Sequence, residues 1–242
     1  MKTLLQKHPL ISFFTLCYAI MFGVLFSYIS LRPGESLQRW SVVWFFSIFS
    51  PTISALTVSY ITGGINEVKH LLAGLTRWRV GLFWYFAAAF LFLAPLGITL
   101  VYKVLGNESA GLKSGETIAS MLEIILFTLF SGPIAEELGW RGFALPRLQA
   151  KYNALVSSLI LGVVWCCWHI PLFFITGATQ MSIPFPIYLI LVLTISLYLT
   201  WLYNNTHGSL IVTILGHFSY NLTGFLTGVL RLMPAMLFYM TA

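Results

Sequence analysis

The sequence predicts an all-α, polytopic membrane helical bundle of about eight transmembrane helices. Three observations predict it. Charged residues are only 8% of the chain and hydrophobic residues 58%, whereas a soluble domain carries about 25% charge. A water-facing surface with so little charge would consist of large apolar patches. The mean hydropathy is +0.87, and the 242 residues divide into charge-poor runs long enough to span a bilayer, separated by short polar segments.

The runs follow one another with little between them. Residues 10–31 form the first, behind a basic N-terminal stretch that resembles a signal peptide but is followed by no small-residue cleavage site, so the run is expected to stay as an anchor. Residues 40–65 form the second, with Pro51 as its expected kink. Residues 66–80 are polar and basic, with Leu71, Leu72 and Leu75 at helical spacing, and read as an amphipathic interfacial helix. Residues 81–102 are the third run, and Asn107-Glu108-Ser109 after it matches a glycosylation sequon, a pattern common by chance. Residues 118–138 carry Glu123 near their start and Glu136-Glu137 near their end. Residues 154–175 contain His169 and Pro171, residues 186–203 are the sixth run, and residues 208–225 contain His217 and Asn221. Residues 226–242, apolar except for Arg231, are a short eighth span or a re-entrant piece. Together these make a single transmembrane domain over residues 1–242, and the three cysteines, all in apolar runs, form no disulfide framework.

An N-terminus in the cytoplasm places Lys2, Lys7, Lys69, Arg77, Arg79, Arg141, Arg147 and Lys151 on that side, against Arg32, Arg39, Lys103 and Lys113 on the other. The bias agrees with the positive-inside rule. The net charge of +6 is therefore read as a topology signal at a lipid bilayer and not as nucleic-acid binding. A compact chain of this kind is expected in a bacterial plasma membrane.

Ionisable residues inside spans are costly and mark function by default. The chain contains no aspartate, so carboxylate chemistry rests on its seven glutamates. Glu137 and Arg141 are four apart, in the favoured order for a helical ion pair. Glu136 points about 100° away on the same helix and has no expected partner there, which leaves it for proton transfer. The plain alternative is ordinary charge at a helix end. His169 lies one turn after Trp165 and is a candidate acid–base group, or a histidine satisfied by a carbonyl that Pro171 frees. Cys166, three residues before it, is a remote candidate metal ligand. His217 and Asn221 share a helix face, as a base or metal ligand with an amide donor, or as helix–helix glue. Three spans each bring a polar group, and one shared pocket is the economical way to bury them. A glutamate with two histidines can activate water, with or without a metal.

The motifs Glu136-Glu137-x-x-x-Arg141, Trp165-x-x-x-His169 and His217-x-x-x-Asn221 resemble, in order, those of the CPBP family. These are the CAAX proteases and bacteriocin-processing enzymes, also called Abi. Ser131-Gly132-Pro133, Gly142-Phe143, Gly208-Ser209-Leu210 and the upstream Thr76-Arg77-Trp78-Arg79 fit as well, and Trp165 stands where phenylalanine is usual. The motif-bearing core spans residues 118–222. The resemblance implies an eight-helix intramembrane endopeptidase of glutamate or metallo type. Glu136 would activate water with help from His169, His217 and Asn221 would serve as metal ligands or an oxyanion hole, and Glu137 and Arg141 would support the helix. In the metal version, zinc would be held by Glu136, His169 and His217. The implied substrate is a peptide or membrane-protein segment cut near the cytoplasmic face, as in peptide processing or bacteriocin self-immunity. Two other classes compete: a non-catalytic immunity factor or scaffold, and a proton-coupled carrier. Other intramembrane proteases fit worse, since there is no His-Glu-x-x-His, no aspartate and no Gly-x-Ser-Gly in an apolar run.

Overall fold

The first helix, α1 (Pro9–Leu31), opens on a proline whose missing N–H costs nothing in a first turn. Phe13, Cys17, Met21 and Leu25 recur every four residues along it and are buried as one stripe, which packs on α3 (Ser50–Leu72). In the computed structural model, which describes residues 4–106 and 117–227, the second run is two helices. The short α2 (Val42–Ile48) is capped by Ser41, whose hydroxyl accepts the Trp44 N–H at 3.2 Å, and it meets α3 at a bend of 56°. Pro51 lies in the first turn of α3, so the expected kink falls just before the proline, as its ring demands.

The α3 segment is broken at Gly64, whose φ of 64° and ψ of −155° are not helical and are tolerated readily by glycine alone. Residues 65–72 therefore form a helix of their own, as expected for the start of the 66–80 stretch, and a 3₁₀ turn at Ala73–Thr76 ends it. Leu71 is buried while Leu72 and Leu75 are exposed. The fourth run is also divided. The α5 helix (Ile118–Phe130) stops at Ser131-Gly132, and α6 (Pro133–Glu137) restarts at the proline and passes into a π-helix, Leu138–Ala144, followed by α7 (Leu145–Gln149). Pro133 cannot donate to the preceding turn and biases Gly132 away from helix.

The remaining helices are α4 (Leu82–Val104), α8 (Ala154–Trp168), α9 (Phe185–Asn205) and α10 (Leu210–Thr227). The α4 helix packs on α10, and α8 on α9. The second contact is close because Gly162 has no Cβ to meet Leu193, and because Ser158, Ser196 and Thr200 hydrogen-bond across it. Among the described residues, four helical stretches are long and apolar enough to cross a membrane, Pro9–Leu31, Ile118–Gln149 taken through its break, Ala154–Phe174 and Phe185–Asn205, or five if α2 and α3 make one bent span, with Leu82–Phe92 and Leu210–Leu222 as shorter apolar helices. The molecule is a helical membrane bundle. The glycosylation sequon, Lys2, Lys113, Arg231 and the expected eighth span from residue 228 onward lie outside the described residues.

The connecting segments gather at two ends. At one, Gln6 Nε2 donates to Ile61 O, Arg147 pairs with Glu67 at 2.8 Å, and Arg77 donates to His207 O at 2.8 Å. At the other, Tyr28 donates to Ser36 O, and Ser36 bridges Thr176. These are the two sets of segments that the charge count assigns to opposite faces.

Candidate active site

The break before Pro133 places Glu136 in the first turn of a new helix, with Glu137 directly after it, and not at the end of a long one. Free N–H groups and the positive end of the helix dipole favour carboxylates there. The segment is held from behind by α3: Thr52 donates to Ala135 O at 2.8 Å, and Gly139 lies so close to Pro51 that a Cβ would come within 2.6 Å of its backbone. Phe13, Trp140, Phe143 and Trp168 close the floor with ring contacts of 5.0–5.8 Å.

Helical spacing then sorts the two carboxylates. Arg141 donates to Glu137 Oε1 at 2.9 Å, with both side chains fully buried. Trp140 Nε1 donates to Glu136 Oε2 at 3.2 Å, so Glu136 does have a partner on its own segment, contrary to the expectation from sequence. The overlooked signal is the same four-residue spacing that identifies Glu137 and Arg141, carried here by a residue usually counted as apolar.

The other groups come from α8 and α10. Trp165 Nε1 also donates to Glu136 Oε2. His169 caps α8; its own N–H turns to Cys166 and Cys167, which leaves Trp165 O to accept from His169 Nδ1 at 2.8 Å. His217 Nδ1 bonds Glu137 Oε1 at 2.7 Å. Glu137 is therefore more than a helix support, since one of its oxygens ties Arg141 and His217 together. A carbonyl and a carboxylate oxygen only accept, so both histidines donate from Nδ1 and, when neutral, keep Nε2 as the basic nitrogen. Among the described residues, Glu137 Oε2 and Arg141 Nε and Nη2 are buried without a hydrogen-bond partner. Such burial is expensive, which marks the pair as retained for more than packing.

Asn221 joins the group through Gly132. A Cβ on Gly132 would lie 2.8 Å from Asn221 Nδ2, 3.6 Å from Glu136 Oε1 and 3.8 Å from His217 Nε2. One point in space thus lies within reach of an amide donor, the carboxylate oxygen that no indole holds and a ring nitrogen, and only the absence of a side chain keeps it clear. His169 is connected to Glu136 through Trp165 and not directly. Zinc would need about three protein ligands at one point. Among the described residues no three His, Cys, Asp or Glu side chains gather closely enough to hold a metal ion, and Glu136 Oε2 is already held by two indoles. The donors as placed do not fit a zinc site.

Residues 118–223 match the family model described as type II CAAX prenyl endopeptidase Rce1-like. Over this stretch the chain is similar to the CAAX proteases. The CAAX prenyl protease 2 of Methanococcus maripaludis is 34% identical over 104 residues, covering 40% of this chain and 38% of that protein. The match thus spans about two fifths of the curated relative's length. The matched stretch runs from the start of α5 into α10 and contains all six of Glu136, Glu137, Arg141, His169, His217 and Asn221. The break at Gly132 and the π-helix lie inside it, and the supporting contacts from α1 and α3 come from outside it.

Proposed function

We propose that the protein is an intramembrane endopeptidase in which Glu136 transfers the protons. The observation that carries this reading is the convergence of Glu136 Oε1, His217 Nε2 and Asn221 Nδ2 on the side-chain-free face of Gly132. Two acceptors and one donor there can hold a water molecule against a peptide carbonyl. Glu136 Oε1 takes a proton from that water as its oxygen forms a bond to the carbonyl carbon. Asn221 Nδ2 donates to the charged oxygen of the tetrahedral intermediate. The proton then passes from Glu136 to the peptide nitrogen as the C–N bond breaks, giving a carboxyl and an amine end. Glu137 holds His217 with Nε2 facing the reaction, in the manner of the carboxylate behind a catalytic histidine, and Arg141 donates to the same Glu137 oxygen and fixes its position. His169 is assigned the second acid–base position. By the charge bias, the site opens toward the cytoplasmic half of the bilayer.

The relative's name points to a prenylated peptide ending in a CAAX sequence, and a quenched fluorescent farnesylated peptide of that form is the first probe, with its unprenylated twin beside it. Glu136→Gln should abolish cleavage by the purified protein, a loss of at least about a thousandfold, while the protein elutes and melts as wild type. Cleavage by the wild type should continue in a chelator-treated, metal-free sample. Full activity in Glu136→Gln would leave a binding protein or scaffold as the better reading.

A further inference from the structure

Trp165 touches Glu136, Arg141, His169 and His217. Its Nε1 donates to Glu136 Oε2, and the Arg141 guanidinium lies 4.5 Å from its ring centroid. His217 meets it edge-on at 5.2 Å, and its carbonyl accepts from His169 Nδ1. Trp140 adds a second N–H to the same oxygen of Glu136. Both indoles are essentially buried, and both are locked by neighbours: Trp140 by Phe13 and Trp168, Trp165 by the arginine and the two histidines.

We propose that Trp140 and Trp165 are positioning residues that reserve Glu136 Oε2 as an acceptor and confine the carboxyl proton to Oε1. The inference rests on the reading of Glu136 as the proton-transfer group. An indole nitrogen donates and never accepts. A proton on Oε2 would therefore meet two N–H groups head-on, and the carboxyl avoids that arrangement by carrying its proton on Oε1. That oxygen is the one beside Gly132. The two donors come from different segments, one turn along the π-helix and one on α8, so they also stop rotation of the carboxyl plane. The proton taken from water goes to Oε1 and leaves from Oε1 for the peptide nitrogen, and Oε2 exchanges none. Phenylalanine at position 165 would keep an aromatic ring beside Arg141 and lose the N–H together with the pyrrole part of the indole.

The test is Trp165→Phe, Trp140→Phe and their double variant, in the full-length protein, with the quenched farnesylated peptide. Each single variant should lower kcat roughly ten- to a hundredfold with KM and melting temperature unchanged, and the double variant should lose more than either. Nuclear magnetic resonance of indole-labelled protein supplies a readout independent of any peptide. Of the eight tryptophans, the Nε1–H signals of 140 and 165 should lie downfield and should be the two that move in Glu136→Gln. Wild-type kcat in Trp165→Phe and the double variant, with Glu136→Gln inactive, overturns the positioning role alone. A loss confined to KM or to melting temperature also overturns it, as does an indole spectrum untouched by Glu136→Gln. Activity retained in Glu136→Gln instead overturns the peptidase reading on which the proposal rests.

Discussion

Gly132 and Gly139 bracket the glutamate pair, and the neighbours of each decide what an added methyl group would do. At Gly132 the atom in the way is Asn221 Nδ2, the far end of a side chain that can swing aside. Gly132→Ala should therefore keep the fold, with stability within about 1 kcal/mol of wild type, and lose activity by roughly a hundredfold. The methyl group would occupy the space between Glu136 Oε1, His217 Nε2 and Asn221. Peptide cleavage measured beside a thermal melt checks this; an active Gly132→Ala protein would move the reaction away from that space. The buried triad behind it obeys a different rule. Glu137, Arg141 and His217 share one carboxylate oxygen in a site without exposure, and removing one member of such a group leaves a buried charge at a cost of about 3–5 kcal/mol. Loss of activity on replacing Arg141 would thus report on folding before it reported on chemistry.

At the scale of elements, a π-helix follows directly on the two consecutive glutamates and carries the partner of each, Trp140 for Glu136 and Arg141 for Glu137. Its wider turn, seen where Leu145 N–H reaches back five residues to Trp140 O, is a form that recurs at functional sites. It presses on α3 at Gly139, where an added Cβ would strike the backbone of Pro51. Gly139→Ala should therefore cost about 1–3 kcal/mol through overpacking and appear as a lower melting temperature in detergent, the reverse of the pattern at Gly132. A Gly139→Ala protein as stable as wild type would mean that α3 can withdraw without harm. The same elements show what was legible in the sequence. Residues 10–31 and 186–203 coincide almost end for end with α1 and α9, because lipid selects charge-free length and hydropathy measures it. The breaks at Phe49 and Gly132 leave hydropathy unchanged, so apolar runs 40–65 and 118–138 conceal them; the Gly132-Pro133 pair was the available local sign. Four-residue arithmetic finds Glu137 with Arg141 and finds Glu136 with Trp140 once tryptophan is counted as a donor. The bonds from His217 to Glu137 and from Trp165 to Glu136 join residues 80 and 29 positions apart, and no local pattern encodes them.

For the molecule as a whole, the contacts between loops carry information that the charge count alone lacks. Glu67 with Arg147 and Arg77 with His207 O join segments that an alternating path through the membrane puts on one face, and the Ser36–Thr176 bridge joins two that it puts on the other. Had a crossing been missed or invented between any of these pairs, the partners would lie at opposite ends of the bundle. The parity of crossings is thus supported by geometry, and the excess of Lys and Arg is the ground on which one end is proposed to face the cytoplasm. Single cysteines at the exposed positions Tyr152 and Gln38 test the assignment, in a background where the partly exposed Cys167 is replaced and the buried Cys17 and Cys166 are left. A membrane-impermeant maleimide should label Gln38→Cys in intact cells and Tyr152→Cys only in inverted vesicles. Labelling of both from one side would break the parity, whereas a clean reversal would keep the bundle and turn Arg141, Arg147 and the peptide entrance to the opposite face of the membrane.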